Sequence, residues 1–440
     1  MKKILLVEPD FPIPNKSRNH KNFLPIGLLK IASYLIENKN QVRLVRGTPK
    51  DIFKKDEIKE FQPEEIWITS LFTYWAKYVR DSVQVYKKIF PCAKIVIGGI
   101  YASLLSKKEV KKYTGCDKVF QGVFHKAEDY FPAYDLIENS NPHKIDYQII
   151  HTSRGCNRHC DFCGTWKIEP KFYAKESIRN EIKFKKLVFY DNNFLMNPHI
   201  VKILNELIEL KKDKKIIWCE SQSGFDGRIL IQKPYLAEML KKTGFRYPRI
   251  AWDWGYNQHI EIKHQIDILI KNGYKSKDIF IFMLYNWEIP FKEMEMKRIE
   301  CWKWKVQISD CRYRQLNQLY DNYNPFKKNQ TNSDYYIHKK MEWTDLLIKQ
   351  FRKNVREQNI CVRQNVSFYS RAFENKIFIK DVLKKAKSIR DKQSKIMFLK
   401  KNQIDFWFPE NLRYPLQGKL EIKNNRPDGL QTLRPHPGRD

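Results

Sequence analysis

The sequence predicts an α/β protein: a doubly wound parallel sheet, then a second set of six strand–helix units, then a basic, mostly helical region. Three observations carry this. Short apolar runs alternate with stretches of helical spacing through residues 1–125, and again from about 148 to 320. A polar stretch with two prolines, 126–147, separates the two and reads as a linker. From 321 onward the alternation stops.

In the first region "KILLVEP" (3–9) is a continuous apolar run closed by Pro9, as a strand buried on both faces requires. Residues 26–39 have helical spacing, and 41–47 and 64–70 read as strands. A helix follows over 76–90, and "AKIVIGG" (93–99) is a strand ending on two glycines before a helical stretch at 101–114. Ligands of doubly wound sheets sit beyond the carboxyl ends of the strands. Those ends carry Pro9–Phe11, Ser70–Phe72 and Gly98–Ile100. Gly98 and Gly99 either let the backbone approach a flat ligand or simply make a tight turn.

In the second region strands are expected at 148–155, 186–192, 215–222, 249–254, 278–286 and 305–313, with helices such as 197–212 between them. Six such units imply a barrel-like parallel sheet. Beyond a polar connector, 344–360 and 376–401 read as basic helices, followed by an aromatic and proline-rich tail.

The composition bounds the function. The chain has 440 residues, 42% apolar and 14% aromatic, which is globular rather than disordered. No run approaches the length of a membrane span. The apolar stretch before Glu8 is too short for a secretory signal, so a cytoplasmic location is expected. Nine cysteines in such a chain point to metal binding or buried thiols rather than disulfides. There are 82 Lys and Arg against 50 Asp and Glu, a net charge of +32. AT-rich codon usage accounts for part of that excess. The remainder admits a nucleic-acid partner, although no nucleic-acid motif accompanies it.

The chemistry concentrates in "RGCNRHCDFCGTW" (154–166). Cys156, Cys160 and Cys163 offer three soft ligands at C-x3-C-x2-C spacing. A structural zinc ion needs a fourth ligand, and His151 and His159 are near in sequence. That reading makes the chain a zinc-stabilised basic nucleic-acid-binding protein. A 4Fe–4S cluster on three cysteines instead leaves one iron open to a small molecule.

C-x3-C-x2-C with an aromatic, Phe162, before its last cysteine, on the loop after the first barrel strand, resembles the signature of the radical S-adenosylmethionine (SAM) superfamily. "FYDNNFLMNP" (189–198) is similar to a stretch of members that carry an N-terminal cobalamin-binding-type domain. "LVEPDFPIP", "LPIGLLKIASYL" and "GGIYAS" resemble that Rossmann-like (flavodoxin-like) domain. The resemblance covers roughly 1–320 and implies a cobalamin-binding-like domain at 1–125, a (βα)6 partial TIM barrel at 148–320 and a basic extension at 321–440.

It also implies that Cys156, Cys160 and Cys163 hold the cluster and that SAM chelates its open iron. Reduction would then yield a 5′-deoxyadenosyl radical for hydrogen abstraction. Asp191, Asn192 and Asn193 stand where the family contacts the SAM amino group, with "DNN" here where many relatives have two acids. Further cofactor contacts are expected at strand ends: Arg228, Asp253, Asn286 and Arg312. Cys301, Cys311 and Cys361 show no second-cluster pattern. Cobalamin is left open. The D-x-H-x-x-G of its histidine-ligated form is missing, since His20, His125 and His143 lack the flanking Asp and Gly. With cobalamin the chemistry would be methyl transfer; without it, other hydrogen-abstraction chemistry. The basic C-terminal helices would cap the barrel, bind a polyanion or dock an acidic electron donor such as flavodoxin or ferredoxin.

Overall fold

A computed structural model describes residues 1–18, 20–47, 56–138 and 145–365. The expected helix at 376–401 and the tail lie outside the described residues, as does His143. The chain forms two compact units. The first comprises Met1–Ala251, Asp267–Tyr274 and Arg314–Tyr336, and the second Trp252–Ile266, Lys275–Tyr313 and the described residues from Ile337.

The first unit opens with a five-stranded parallel sheet of β1 (Lys3–Glu8), β2 (Gln41–Arg46), β3 (Glu65–Ser70), β4 (Lys94–Gly99) and β5 (Lys118–Val119), in the order β2-β1-β3-β4-β5. The sheet is covered on both faces: Leu5, Ile66, Ile95 and Ile97 are buried in one core, and Ile4 and Leu6 with Leu28 and Ala32 in another. Helix Ala76–Ile89 packs Val79, Val83 and Tyr86 onto the same core. The helix Lys107–Thr114 starts on a Ser106–Glu109 capping box and ends on left-handed Gly115.

Residues 126–147 do more than link. Tyr134 and Ile137 are buried with Leu24, Leu29, Ile149 and Val188, and the Tyr134 hydroxyl accepts the Ile149 N–H at 2.9 Å. The apolar residues here are spaced too irregularly to show as a helix or strand, yet they pack the first sheet region against the second.

That second region begins with β6 (Gln148–Ile150), followed by an antiparallel two-residue pair, β7 (Ser153–Arg154) and β8 (Tyr173–Ala174). Strands β9 (Lys186–Phe189) and β10 (Trp218–Ser221) join β6 in the parallel order β10-β9-β6. Parallel bridges at Cys219–Phe245 and Phe225–Ile250 continue the pattern to β11 (Arg249–Ala251). Helix Ile200–Lys212 lies between β9 and β10, and helix Tyr235–Lys242 between β10 and β11.

In the second unit β12 (Phe280–Tyr285) and β13 (Gln307–Arg312) pair in parallel. Helices Phe291–Lys303 and Asp345–Gln364 pack there through Phe291, Trp343, Phe351 and Tyr285. Buried Arg298 and Glu295 pair at 2.8–2.9 Å, with Asn354 and Gln358 completing their hydrogen bonds. The architecture is thus a Rossmann-like sheet followed by the parallel βα units of a partial barrel. Among the described residues no helix is long and apolar enough to cross a membrane.

Candidate active site

The cysteine loop is an excursion closed at its base. β7 and β8 pair across it, and Lys175 N–H donates to Thr152 O at 2.8 Å. Gly155 holds a φ of +78°, and a Cβ there would lie 2.6 Å from Lys171 O. The entering and leaving arms therefore touch at a point only glycine permits. Gly164 is less constrained: a Cβ would sit 2.9 Å from the end of the Leu104 side chain and 3.6 Å from that of Leu316, both of which can shift.

A hydrogen-bond chain then fixes the loop. Glu169 Oε2 accepts the Gly155 N–H at 2.7 Å and the Asn192 side-chain amide at 2.9 Å, while Arg154 pairs with its other oxygen at 2.9 Å. Thr165 donates to Asn192 Oδ1 at 3.4 Å and receives the Cys163 thiol at 3.3 Å. The chain runs from Cys163 through Thr165, Asn192 and Glu169 to the peptide just before Cys156. On the other side Asp226 gathers Arg158 at 2.7 Å, Asn193 at 3.4 Å and Arg228 at 3.0 Å.

All three thiols are partly exposed and none is in a disulfide. The Cys156 sulfur accepts the Arg158 N–H at 3.4 Å. Burial raises the Cys156 thiol and the neighbouring Cys163 adds to that rise, which places the two sulfurs in each other's field. Three soft thiols and N–H donation to sulfur suit an iron–sulfur cluster. A zinc ion instead needs four donors about 2.0–2.3 Å from one point. Among the described residues no group of three His, Cys, Asp or Glu side chains is drawn around a single point, the three loop cysteines included. His159 lies tilted against Trp166. His151 is buried and held neutral by burial first and by Arg154 next; its Nε2 accepts from Arg154 at 2.8 Å.

Each remaining candidate has a definite place. Phe162 is half-buried within the loop. Asp191 is fully buried and accepts from both the N–H and the hydroxyl of Thr152 and of Ser153, at 2.5–3.0 Å. Its carboxylate therefore joins β9 to the end of β6, and Asn192 and Asn193 are the residues of "DNN" turned toward the loop. Arg228 is exposed and chelates Asp226 at the start of helix Gly227–Gln232.

The other three lie in the second unit. Asp253 sits in a turn held by fully buried Lys297, whose Nζ donates to Trp252 O at 2.6 Å and Trp254 O at 2.7 Å. Buried Asn286 has a φ of +58°, and its side-chain oxygen accepts the His338 N–H at 2.9 Å. Arg312 is buried at the end of β13. Cys301 is fully buried, and that burial pushes its thiol well above the ordinary range.

Sequence reasoning missed Glu169, Asp226, Arg158 and Thr165. Glu169 is 14 residues from the N–H it holds, and only the closure of the loop reveals it. Asp226, a helix N-cap, carried a readable signal.

The first sheet's strand order places its crevice between the ends of β1 and β3. Rings line that crevice: Phe11 stacks on Trp75 at 5.2 Å, and Phe72 on Tyr74 at 4.9 Å. Arg314 lies 4.5 Å from the centre of the Tyr74 ring. Gly99 has a φ of +95°, and a Cβ there would collide with Ser70 O and lie 2.8 Å from Ser70 N. The glycine serves a tight backbone approach to β3. No histidine stands in a D-x-H-x-x-G there, so these residues do not fit histidine-ligated cobalamin.

No family model and no curated protein matches the chain. Among solved structures it is similar to the cobalamin-dependent SAM radical enzyme OxsB with aqua-cobalamin bound. That match has 13% identity and a TM-score of 0.48, over 69% of this chain and 52% of that one. OxsB with aqua-cobalamin and SAM aligns at 14% identity and a TM-score of 0.47, over the same shares. A cobalamin-binding protein from Desulfitobacterium hafniense DCB-2 matches 27% of this chain and 52% of its own, at 19% identity and a TM-score of 0.20. The chain spans about half the length of the solved structures it matches.

Proposed function

We propose that this chain is a radical SAM enzyme whose Cys156, Cys160 and Cys163 ligate a 4Fe–4S cluster. The observation that carries the reading is the closed cysteine loop, with three unbridged thiols on a backbone clamped by Glu169 and Asn192. When bound, the cluster would supply the electron that cleaves SAM to methionine and a 5′-deoxyadenosyl radical, which takes a hydrogen atom from the substrate.

The chain's own contribution is orientation. Glu169 fixes the peptide before Cys156, and Asn192 ties that anchor to Thr165 and the Cys163 sulfur. Arg158 and Asp226 hold the middle of the loop against the start of helix Gly227–Gln232. Asn192 and Asn193 would supply the polar groups that meet the SAM amino group. An acidic electron donor of the flavodoxin or ferredoxin kind suits a chain of charge +32. A cytoplasmic setting would keep the thiols reduced. OxsB is described with cobalamin, while the first sheet of this chain lacks the D-x-H-x-x-G of the histidine-ligated form.

The test is anaerobic reconstitution with iron and sulfide, then SAM and a strong reductant, with mass spectrometry of the products. 5′-Deoxyadenosine from wild type, and none from Cys163→Ala, is the expected result. A colourless protein that holds zinc and forms no 5′-deoxyadenosine would overturn the reading.

A further inference from the structure

The geometry points to an oxyanion-binding site built from Lys21, Arg246 and Arg249 around Glu220, suited to a phosphoryl or carboxylate group of a substrate. Glu220 lies on β10, and its side chain is 1% exposed. Arg249 Nη2 donates to its Oε1 at 2.5 Å. Lys21, from the loop before helix Ile26–Glu37, pairs with Oε2, and Arg246 Nε reaches the same oxygen at 3.4 Å. Three cations thus share one carboxylate, a local surplus of two positive charges.

A buried carboxylate that only needed neutralising would take one partner, as Glu295 takes Arg298 in the second unit. Burial works to raise Glu220, but Arg249 and Lys21 outweigh it and hold the carboxyl below its usual range, so it stays ionised. Burial first, then Arg249 and Arg246, bring the Lys21 ammonium below its ordinary range against the pull of Glu220, and no second acid stands among the influences on it.

The surplus is also presented outward. Arg246 is 39% exposed, and its guanidinium carbon lies over the Trp218 ring, 3.4 Å from its centre. Among the described residues its two terminal nitrogens make no hydrogen bond. A guanidinium fixed on a ring, with both terminal nitrogens available, offers the fork that binds an oxyanion in a bidentate manner. Arg249 is tied further to Ser221 O at 2.6 Å, and the Lys21 carbonyl accepts the Tyr190 hydroxyl. These contacts fix the cations before any ligand arrives.

The test is calorimetric titration of the full chain with pyrophosphate and, separately, citrate, at low ionic strength. It needs neither cluster nor SAM, so its failure and that of the proposed activity are distinguishable. Saturable binding is expected, weakened at least tenfold by Arg246→Gln. Glu220→Gln removes the competing carboxylate and should tighten it. Lys107→Gln removes the same charge from an exposed position on helix Lys107–Thr114 and should change nothing. Tighter pyrophosphate binding would mark a phosphorylated substrate, and tighter citrate binding a carboxylate one. Should Arg246→Gln lose its native far-ultraviolet dichroism, Lys21→Gln takes its place. No saturable binding, equal effects of Arg246→Gln and Lys107→Gln, or weaker binding in folded Glu220→Gln would each overturn the site.

Discussion

Two strand-end regions of the first unit solve the same local problem for different ends. After β4 the chain turns on Gly99; after β6 and β7 it turns on Gly155. Both glycines have positive φ, and both would collide with backbone if they carried a Cβ. At Gly99 the neighbour is Ser70, whose hydroxyl also donates to Gly98 O and accepts the Ala102 N–H. Aromatic rings cover what remains. At Gly155 the neighbours are Lys171 and Glu169, and the result is a polar frame around three half-exposed thiols. The first glycine closes a core, and the second shapes the loop that carries the three thiols. The same residue type at two strand ends is therefore uninformative until its neighbours are known.

This contrast gives the largest expected effect. Gly99→Ala should cost about 2–4 kcal/mol of global stability, from strain and a backbone clash within a buried sheet. Urea unfolding measures it, and the iron and sulfide content of the reconstituted protein should not change. Gly155→Ala should do the reverse, with cluster retention lost and the unfolding midpoint nearly kept. Equal losses of stability in both would erase the distinction.

Glu169 sharpens the comparison from the side chain. Its carboxylate serves two N–H donors and a guanidinium, and hydrogen bonds to a charged group contribute about 1.5–3 kcal/mol each. Glu169→Gln keeps the shape but weakens all three contacts. SAM cleavage is expected to fall by roughly tenfold or more, which is about 1.4 kcal/mol in the barrier. The line shape of the reduced cluster's paramagnetic resonance should change with it. An unchanged spectrum would show that the frame does not reach the cluster.

Legibility follows the same divide. β1 was readable because a strand buried on both faces must be an unbroken apolar run, and β3 and β4 because they are short apolar segments that alternate buried and half-buried residues. β5 was not. It has two residues, and its approach depends on Asp117, whose carboxylate accepts the Ile95 N–H at 2.7 Å. The helix expected at 344–360 is present as Asp345–Gln364, with Thr344 as its cap. The cysteines were readable because their ligand chemistry is local in sequence. Glu169, the contact of Asp226 with Arg158 and the cluster around Glu220 were not, because their partners come from separate loops and strands. "DNN" was readable only as a unit. The structure divides it into Asp191, consumed by Thr152 and Ser153, and two asparagines that face the loop.

The smallest expected effect concerns Arg228, an expected SAM contact whose guanidinium is engaged by Asp226. The pair is nearly half exposed on the arginine side, so Arg228→Ala should cost no more than about 1 kcal/mol near neutrality. Its pH dependence carries more information. Burial works to raise the Asp226 carboxyl, but its hydrogen bond from Arg228, with the charges of Arg228 and Arg158, brings it below the usual carboxylate range. A depressed folded value means that the unfolded chain binds more protons between the two values. The stabilisation is therefore full above the ordinary aspartate range and is lost as pH falls through the folded value. Removing Arg228 raises that folded value and shrinks the contribution. The stability gap between wild type and Arg228→Ala should be widest near pH 7 and close in acid, as urea unfolding at several pH values would show. A gap that persists after Asp226 is protonated would mean that Arg228 acts on the loop through some other contact. Arg158, which pairs with Asp226 from within the cysteine loop, would then be the residue to vary next.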